Sequence, residues 1–183
     1  LTANGLGMFI SEWSRGNDLD FSKIGKNVTF TGKATANGLL NHLDTWAYLN
    51  SDAGSVNATV RLDEIIDTTK AITLSGHVKT DDLDVGRIIG NDMIGPVSIS
   101  TGLSARLEER IAVDVDSLRI ERLNFNGYNY SDIQARGKYD VLSMNGTVIS
   151  KDPNLNFIFQ GGYAKSEKSQ NTVYMFNASV GHA

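Results

Sequence analysis

The chain has 183 residues, of which 40% are hydrophobic and 21% charged, with a net charge of −4 and no cysteine. This composition is typical of a folded domain and unlike that of a disordered one. The negative charge argues against nucleic acid as a partner, because phosphate binding needs a basic surface. The lack of cysteine excludes disulfides, cysteine-based zinc sites and thiol nucleophiles. No run approaches the ~20 apolar residues that span a bilayer as a helix.

Most of the chain alternates between apolar and polar residues with a period of two, which predicts strands with one sheltered and one wet face. Antiparallel sheets commonly show this pattern. Turn clusters at 50–54, 124–127, 150–154 and 165–171 separate the strands and predict hairpins. In chain order, the main apolar residues of this alternating pattern are Val28, Phe30, Ile72, Leu74, Val97, Ile99, Ile111, Val113, Phe157, Phe159, Tyr174 and Phe176.

Two short segments read as helical instead. Residues 83–89 have their apolar side chains on one side of a helical turn, with Asp81 or Asp82 as the predicted N-cap and Gly90 as the end. A weaker helical pattern covers residues 39–49. The sequence therefore predicts an all-β fold with one or two short helices.

A quasi-repeat recurs at 28–34, 72–78 and 142–148, in which an apolar, hydroxyl, apolar and small polar residue precede a glycine. The spacing between Gly32, Gly76 and Gly146 is unequal, which excludes a solenoid of equal units and favours one elongated sheet. No composition shift marks a second domain. The sequence opens on a leucine and shows no signal peptide. We therefore expect residues 1–183 to be a single β-rich segment of a longer protein, which can continue beyond both ends.

Three stretches resemble recurring phrases of the TamB and AsmA-like family. In residues 74–90 a strand carrying Gly76 runs through an Asp-x-Leu-like turn into a short amphipathic helix. Residues 118–139, with Leu123-Asn124-Phe125-Asn126-Gly127-Tyr128, and residues 176–183 are similar to the same family. The resemblance covers roughly residues 70–183, whereas residues 1–69 resemble the family only in general character.

This resemblance implies a curved antiparallel sheet that forms a half-open groove, called a β-taco, with an apolar interior. It implies a periplasmic location in Gram-negative bacteria, within a parent protein anchored in the inner membrane. The implied role is phospholipid transfer toward the outer membrane, or assembly of outer-membrane proteins with a BamA-type partner. The twelve alternating apolar residues given above are then the lipid-groove candidates, and phospholipid or acyl chains are the ligands.

Other interpretations of the same pattern stay open at this stage. The alternating residues can fill the core of a β-sandwich, for example in a secreted module that binds carbohydrate or a surface protein. Such a sugar-binding module should present Trp13, Trp46 and tyrosines on an exposed platform. A lipid groove should instead present aliphatic side chains inward along its length.

Catalytic chemistry has no recognisable signature in the sequence. His42, His77 and His182 lie in separate segments without metal-ligand spacing. The aspartates at 81–84 lack the calcium-loop pattern and fit helix capping better. A carboxylate pair for glycoside hydrolysis is defined by distance in space, and nothing singles one out. We therefore predict no enzyme, no catalytic residue, no metal and no cofactor. Open sheet edges predict self-association between copies.

Overall fold

The computed structural model describes residues 28–39, 41–66, 69–108, 110–166 and 171–182. The predicted all-β fold is confirmed in this part of the chain, which forms one open antiparallel sheet of twelve strands with one short helix. The strands are β1 (Phe30–Leu39), β2 (His42–Ser51), β3 (Gly54–Asp63), β4 (Ile72–Asp81), β5 (Leu83–Asp84), β6 (Ile94–Leu107), β7 (Ala112–Phe125), β8 (Tyr128–Tyr130), β9 (Ile133–Tyr139), β10 (Ser143–Asp152), β11 (Leu155–Lys165) and β12 (Thr172–His182).

The strands follow one another in the sheet almost as they do in the chain. The main order is β1-β2-β3-β4-β6-β7-β9-β10-β11-β12, and the short strands β5 and β8 pair with β6 and β7. The turn clusters at 50–54, 124–127 and 150–154 connect hairpins as predicted, whereas most of the predicted cluster at 165–171 lies outside the described residues. At the β7–β8 turn, Asn126 and Gly127 both have positive φ, as a two-residue hairpin turn of type I′ requires.

The helix α1 (Val85–Ile89) forms where the sequence predicts it, and Gly90 ends it in the left-handed conformation with φ 74. The predicted cap was wrong. Asp84 caps the helix, because its carboxylate accepts a hydrogen bond from the Arg87 amide at 2.9 Å. Asp82 instead pairs with Arg122 and accepts from the Ser98 hydroxyl. In the described ranges no helix is long and apolar enough to cross a membrane.

The prediction of a second helix over residues 39–49 was wrong. Leu39 ends β1, and β2 takes up the rest from His42 onward, with β1 and β3 paired on its two sides. Its burial alternates residue by residue, and Trp46 and Tyr48 belong to the residue types that favour strands. Sheet pairing on both edges therefore overrides a weak helical pattern.

The sheet is a single layer. Among the described residues, Val28, Ala53 and Val97 are the buried hydrophobic ones, whereas a sandwich core needs buried side chains from every strand. The described part of the chain is therefore not a β-sandwich. Register shifts interrupt the β6–β7, β7–β9 and β11–β12 ladders, and such bulges bend strands and increase their twist.

Candidate functional site

Three rows of side chains on one side of the sheet cross every strand of the main order, because residues opposite each other in a ladder point to the same face. The tyrosine row is Gly38, Leu43, Leu62, Leu74, Ala105, Val113, Tyr139, Met144, Tyr163 and Tyr174. The glycine row is Ala36, Thr45, Val60, Gly76, Leu103, Val115, Gly137, Gly146, Gly161 and Phe176. The alanine row is Ala34, Ala47, Ala58, Val78, Thr101, Leu118, Ala135, Val148, Phe159 and Ala178.

These three rows define the apolar face of the sheet. They contain no charged residue, and their polar atoms are the hydroxyls of Thr45, Thr101 and three tyrosines. The residues between them point to the other side and define the polar face. Along β2, β3 and β4 the rows of the apolar face are half-buried, while their neighbours on the polar face are mostly exposed.

Toward β12 no other described element covers the apolar face, and Phe176 is 79% and Tyr174 71% exposed there. Soluble monomers rarely leave a contiguous apolar surface of more than a few hundred Å² open to water. A surface of this kind, extending across ten strands, is therefore the strongest candidate for a binding site.

The register places most of the predicted groove residues on this face. The nine strand residues that share it by pairing or alternation are Phe30, Ile72, Leu74, Ile99, Val113, Phe157, Phe159, Tyr174 and Phe176. Val97 is buried where β5 pairs with β6. It lies at the end of the sheet that also includes the β7–β8 and β10–β11 turns, which we call the rim. Val28 precedes β1 and Ile111 precedes β7, so the ladders assign neither of them to a face. The sequence pattern missed Gly137 and Gly161, because only the register aligns them with the other glycines.

In the glycine row, three neighbouring strands present no side chain to the apolar face. Gly137, Gly146 and Gly161 stand side by side on β9, β10 and β11, and Gly76 lies further along the same row on β4. A Cβ atom at Gly76 would come 2.1 Å from the Thr59 carbonyl oxygen. Gly76 and Gly146 of the sequence repeat therefore share one row, whereas Gly32 pairs with Leu49 outside it.

Tyrosines add ring surface to the same face without adding charge. The rings of Tyr163 and Tyr174 lie 6.3 Å apart, centroid to centroid. Burial raises the pKa of Tyr163, and the neighbouring Tyr139 and Asp140 raise it further. The Tyr163 phenol therefore stays neutral at physiological pH.

The alternation along β10 places the carboxylate of Asp152 on the apolar side, but this side chain is buried and does not reach the surface of that face. Asp152 is fully buried in the β10–β11 turn. It accepts hydrogen bonds from the Tyr128 hydroxyl at 3.0 Å, the Ser131 amide at 2.8 Å and the Asn154 amide at 2.9 Å. Burial raises the pKa of Asp152, but these hydrogen bonds outweigh that effect and hold the pKa below its usual value. The charge is thus enclosed in the rim and fixes the β8 segment to it.

The residues considered for metal or sugar chemistry lie elsewhere. Within the described part of the chain, no three His, Cys, Asp or Glu residues are grouped so as to hold a metal ion. His42 Nδ1 lies 2.6 Å from Asp63 Oδ1, and His77 lies on the polar face. Trp46 also points to the polar face, and Trp13 lies outside the described residues.

Comparison with known proteins gives no match to a family model, to a curated protein or to a solved structure.

Proposed function

We propose that this chain is a β-groove segment of a TamB/AsmA-like protein that shields phospholipid tails during transfer from the inner to the outer membrane, or aids outer-membrane protein assembly. The proposal includes the periplasm as the location and an inner-membrane-anchored parent protein, with a BamA-type partner acting through that parent. One observation carries it: three uncharged rows cross the whole sheet on one face.

The chemistry of this face suits an acyl chain. An acyl chain that leaves water for an apolar surface gains about 0.8 kcal/mol per buried CH₂ group. The acyl chain has no polar atoms, and a face without charged groups imposes no cost for burying a charge beneath it. The rows run across the strands, so a chain can move along them from strand to strand while keeping the same kind of contact. The sequence resemblance supports the same function independently of this geometry.

Headgroup selection is not expected at this face. A phosphate would be selected by paired or clustered Arg and Lys side chains, and the three rows carry neither. We expect phosphatidylethanolamine and phosphatidylglycerol to be captured with similar efficiency.

Two neighbouring residues on β11 give a matched test of the proposal. Phe159 lies in the alanine row and is 39% exposed, whereas Ile158 points to the polar face and is 46% exposed. A photo-crosslinking amino acid is placed at either position, and the purified protein is mixed with phosphatidylethanolamine vesicles and irradiated. We expect a lipid adduct, detected by mass spectrometry, at position 159 and none at 158. Equal labelling at both positions, or no adduct at 159, would contradict the proposal.

A charge on the apolar face separates an open groove from a closed core. Val113→Asp, in the tyrosine row, should reduce the lipid adduct at position 159 while the protein stays folded, because a single layer lets the new carboxylate reach water. In a closed core the same change would leave a buried charge unpaired and unfold the protein. Thermal melts run beside the crosslinking distinguish the two.

A further inference from the structure

The polar face also carries a row that crosses every strand of the main order. This row is Asn37, Asp44, Arg61, Ser75, Ser104, Asp114, Lys138, Asn145, Gly162 and Met175. Each member lines at least one of three depressions, with volumes of about 360, 360 and 840 Å³. Ser75 lines both the first and the second, and Asp114 and Lys138 line both the second and the third. We call this continuous depression the polar furrow.

Charge is compensated along the whole furrow. The first depression holds Asp44 and Arg61, whose Oδ1 and Nε atoms are 3.3 Å apart. The second and third share Asp114 and Lys138, whose Oδ2 and Nζ atoms are 2.5 Å apart. The second adds Arg106 and Asp140, and the third adds Arg136 and Asp116. Each depression therefore has equal numbers of acidic and basic residues, which favours an uncharged ligand over a polyanion or a polycation.

The remaining groups suit sugar rings. Trp46, which is 36% exposed, lines the first depression beside Thr35 and Thr59. An exposed indole offers a flat apolar surface on which the C–H face of a sugar can stack. The third depression is lined by Asn145, Gln160 and Asn177, whose amides both donate and accept hydrogen bonds, as sugar hydroxyls do.

The furrow crosses the ten strands of the main order, which lie about 4.8 Å apart, and each of its three depressions again balances acidic with basic side chains. A ligand that contacts the furrow throughout is therefore an extended polymer. We propose that the polar furrow binds a linear, uncharged polysaccharide, with Trp46 as the stacking platform and the amides of Asn145, Gln160 and Asn177 as hydrogen-bonding partners. This site lies on the opposite face from the lipid proposal and does not depend on it.

The test measures binding of cellohexaose, chitohexaose and maltohexaose by calorimetry, beside the matching disaccharides. Because the furrow extends over many strands, at least one hexasaccharide should bind about tenfold or more tighter than its disaccharide. Trp46→Ala should weaken that binding about tenfold, the equivalent of about 1.4 kcal/mol. Tyr48→Ala is the matched control, since Tyr48 is a 39% exposed aromatic residue on the same face that lines none of the three depressions. It should change the affinity less than about twofold.

Asn177→Ala provides a second variant on exposed β12, in case Trp46→Ala does not fold, and it should also weaken hexasaccharide binding. Thermal melts establish that each variant is folded. The proposal is overturned if no hexasaccharide binds at millimolar concentration, or if Trp46→Ala and Tyr48→Ala lose affinity equally. Tighter binding of polygalacturonate, or of an extended uncharged peptide, than of every hexasaccharide would also overturn it.

Discussion

The two faces of this sheet are built from the same strands, yet they differ in charge and in hydrogen-bonding groups. The apolar face carries three rows without a charge, whereas the polar furrow holds ion pairs, hydroxyls and amides. Almost no side chain is fully buried, so the stability of the sheet depends on its backbone ladders and on cross-strand side-chain pairs. A single layer with alternating side chains therefore supplies two unlike surfaces without a core between them.

The contrast between the faces disappears at β12. Val173 and Met175 point to the polar side, Tyr174 and Phe176 point to the apolar side, and all four are more than half exposed. This strand is the end of the main order, and its residues 172–181 include neither a charged residue nor a proline, although both are common devices against edge pairing.

The largest expected effect compares glycines on the two faces. Gly76→Ala on the apolar face should lower the free energy of unfolding by about 3 kcal/mol, because the new methyl group would meet the backbone of Thr59 and Val60. Gly102→Ala on the polar face should cost less than about 1 kcal/mol, since its Cβ would meet the movable His77 ring at 3.1 Å. Urea denaturation of both variants makes the comparison. Equal losses would show that the close approach at Gly76 does not constrain the sheet.

Substitutions at Asp152 test whether its buried, hydrogen-bonded carboxylate stabilises the rim of the sheet. Asp152→Ala leaves the amide donors of Ser131 and Asn154 without their acceptor and should cost about 1–3 kcal/mol. The pKa of Asp152 is lowered in the folded state, so its ionised form contributes stability above the ordinary value of about 4. That contribution is lost as the pH falls from about 4 through the folded-state pKa. Asp152→Asn should therefore flatten the pH dependence of the melting temperature in this window. An unchanged profile would contradict the assignment.

The exposed edge at β12 predicts association between copies. Phe176→Lys should weaken concentration-dependent dimerisation, followed by light scattering, about tenfold, because it places a charge on the edge and removes an exposed ring. Thr31→Lys on β1, where Lys33 already stands on the same face, should have little effect. A strict monomer at high concentration, before any substitution, would remove the basis of this prediction.

The smallest effect is expected at the ion pair of the polar face. Lys138 is 70% exposed, and its hydrogen bond with Asp114 raises its pKa. Exposed pairs contribute little to folding because water screens them. Lys138→Met should leave the unfolding curve nearly unchanged at neutral pH, whereas a clear loss of stability would mean that the pair organises the furrow structurally.

Several features could be predicted from particular residues. The alternation around Ile72 and Leu74 correctly predicts which side chains share a face, because a strand turns each successive residue to the opposite side. The Gly90 helix end follows equally from local conformation. The pattern at 39–49 failed because the same residues carry a weak helical period and a strand period, and only pairing with β1 and β3 decided between them.

The sequence by itself determined strands such as β4, β7 and β12, several hairpin turns, and the division into an apolar and a polar side, since these depend on local alternation and on turn residues. Tertiary structure alone decided that the sheet stays one layer rather than folding into a sandwich. It also decided the register that aligns Gly76 with Gly137, Gly146 and Gly161, and that joins Asp44 to Met175 in one furrow. Rows across strands depend on how distant segments pair, and a shift of one residue would exchange the two faces.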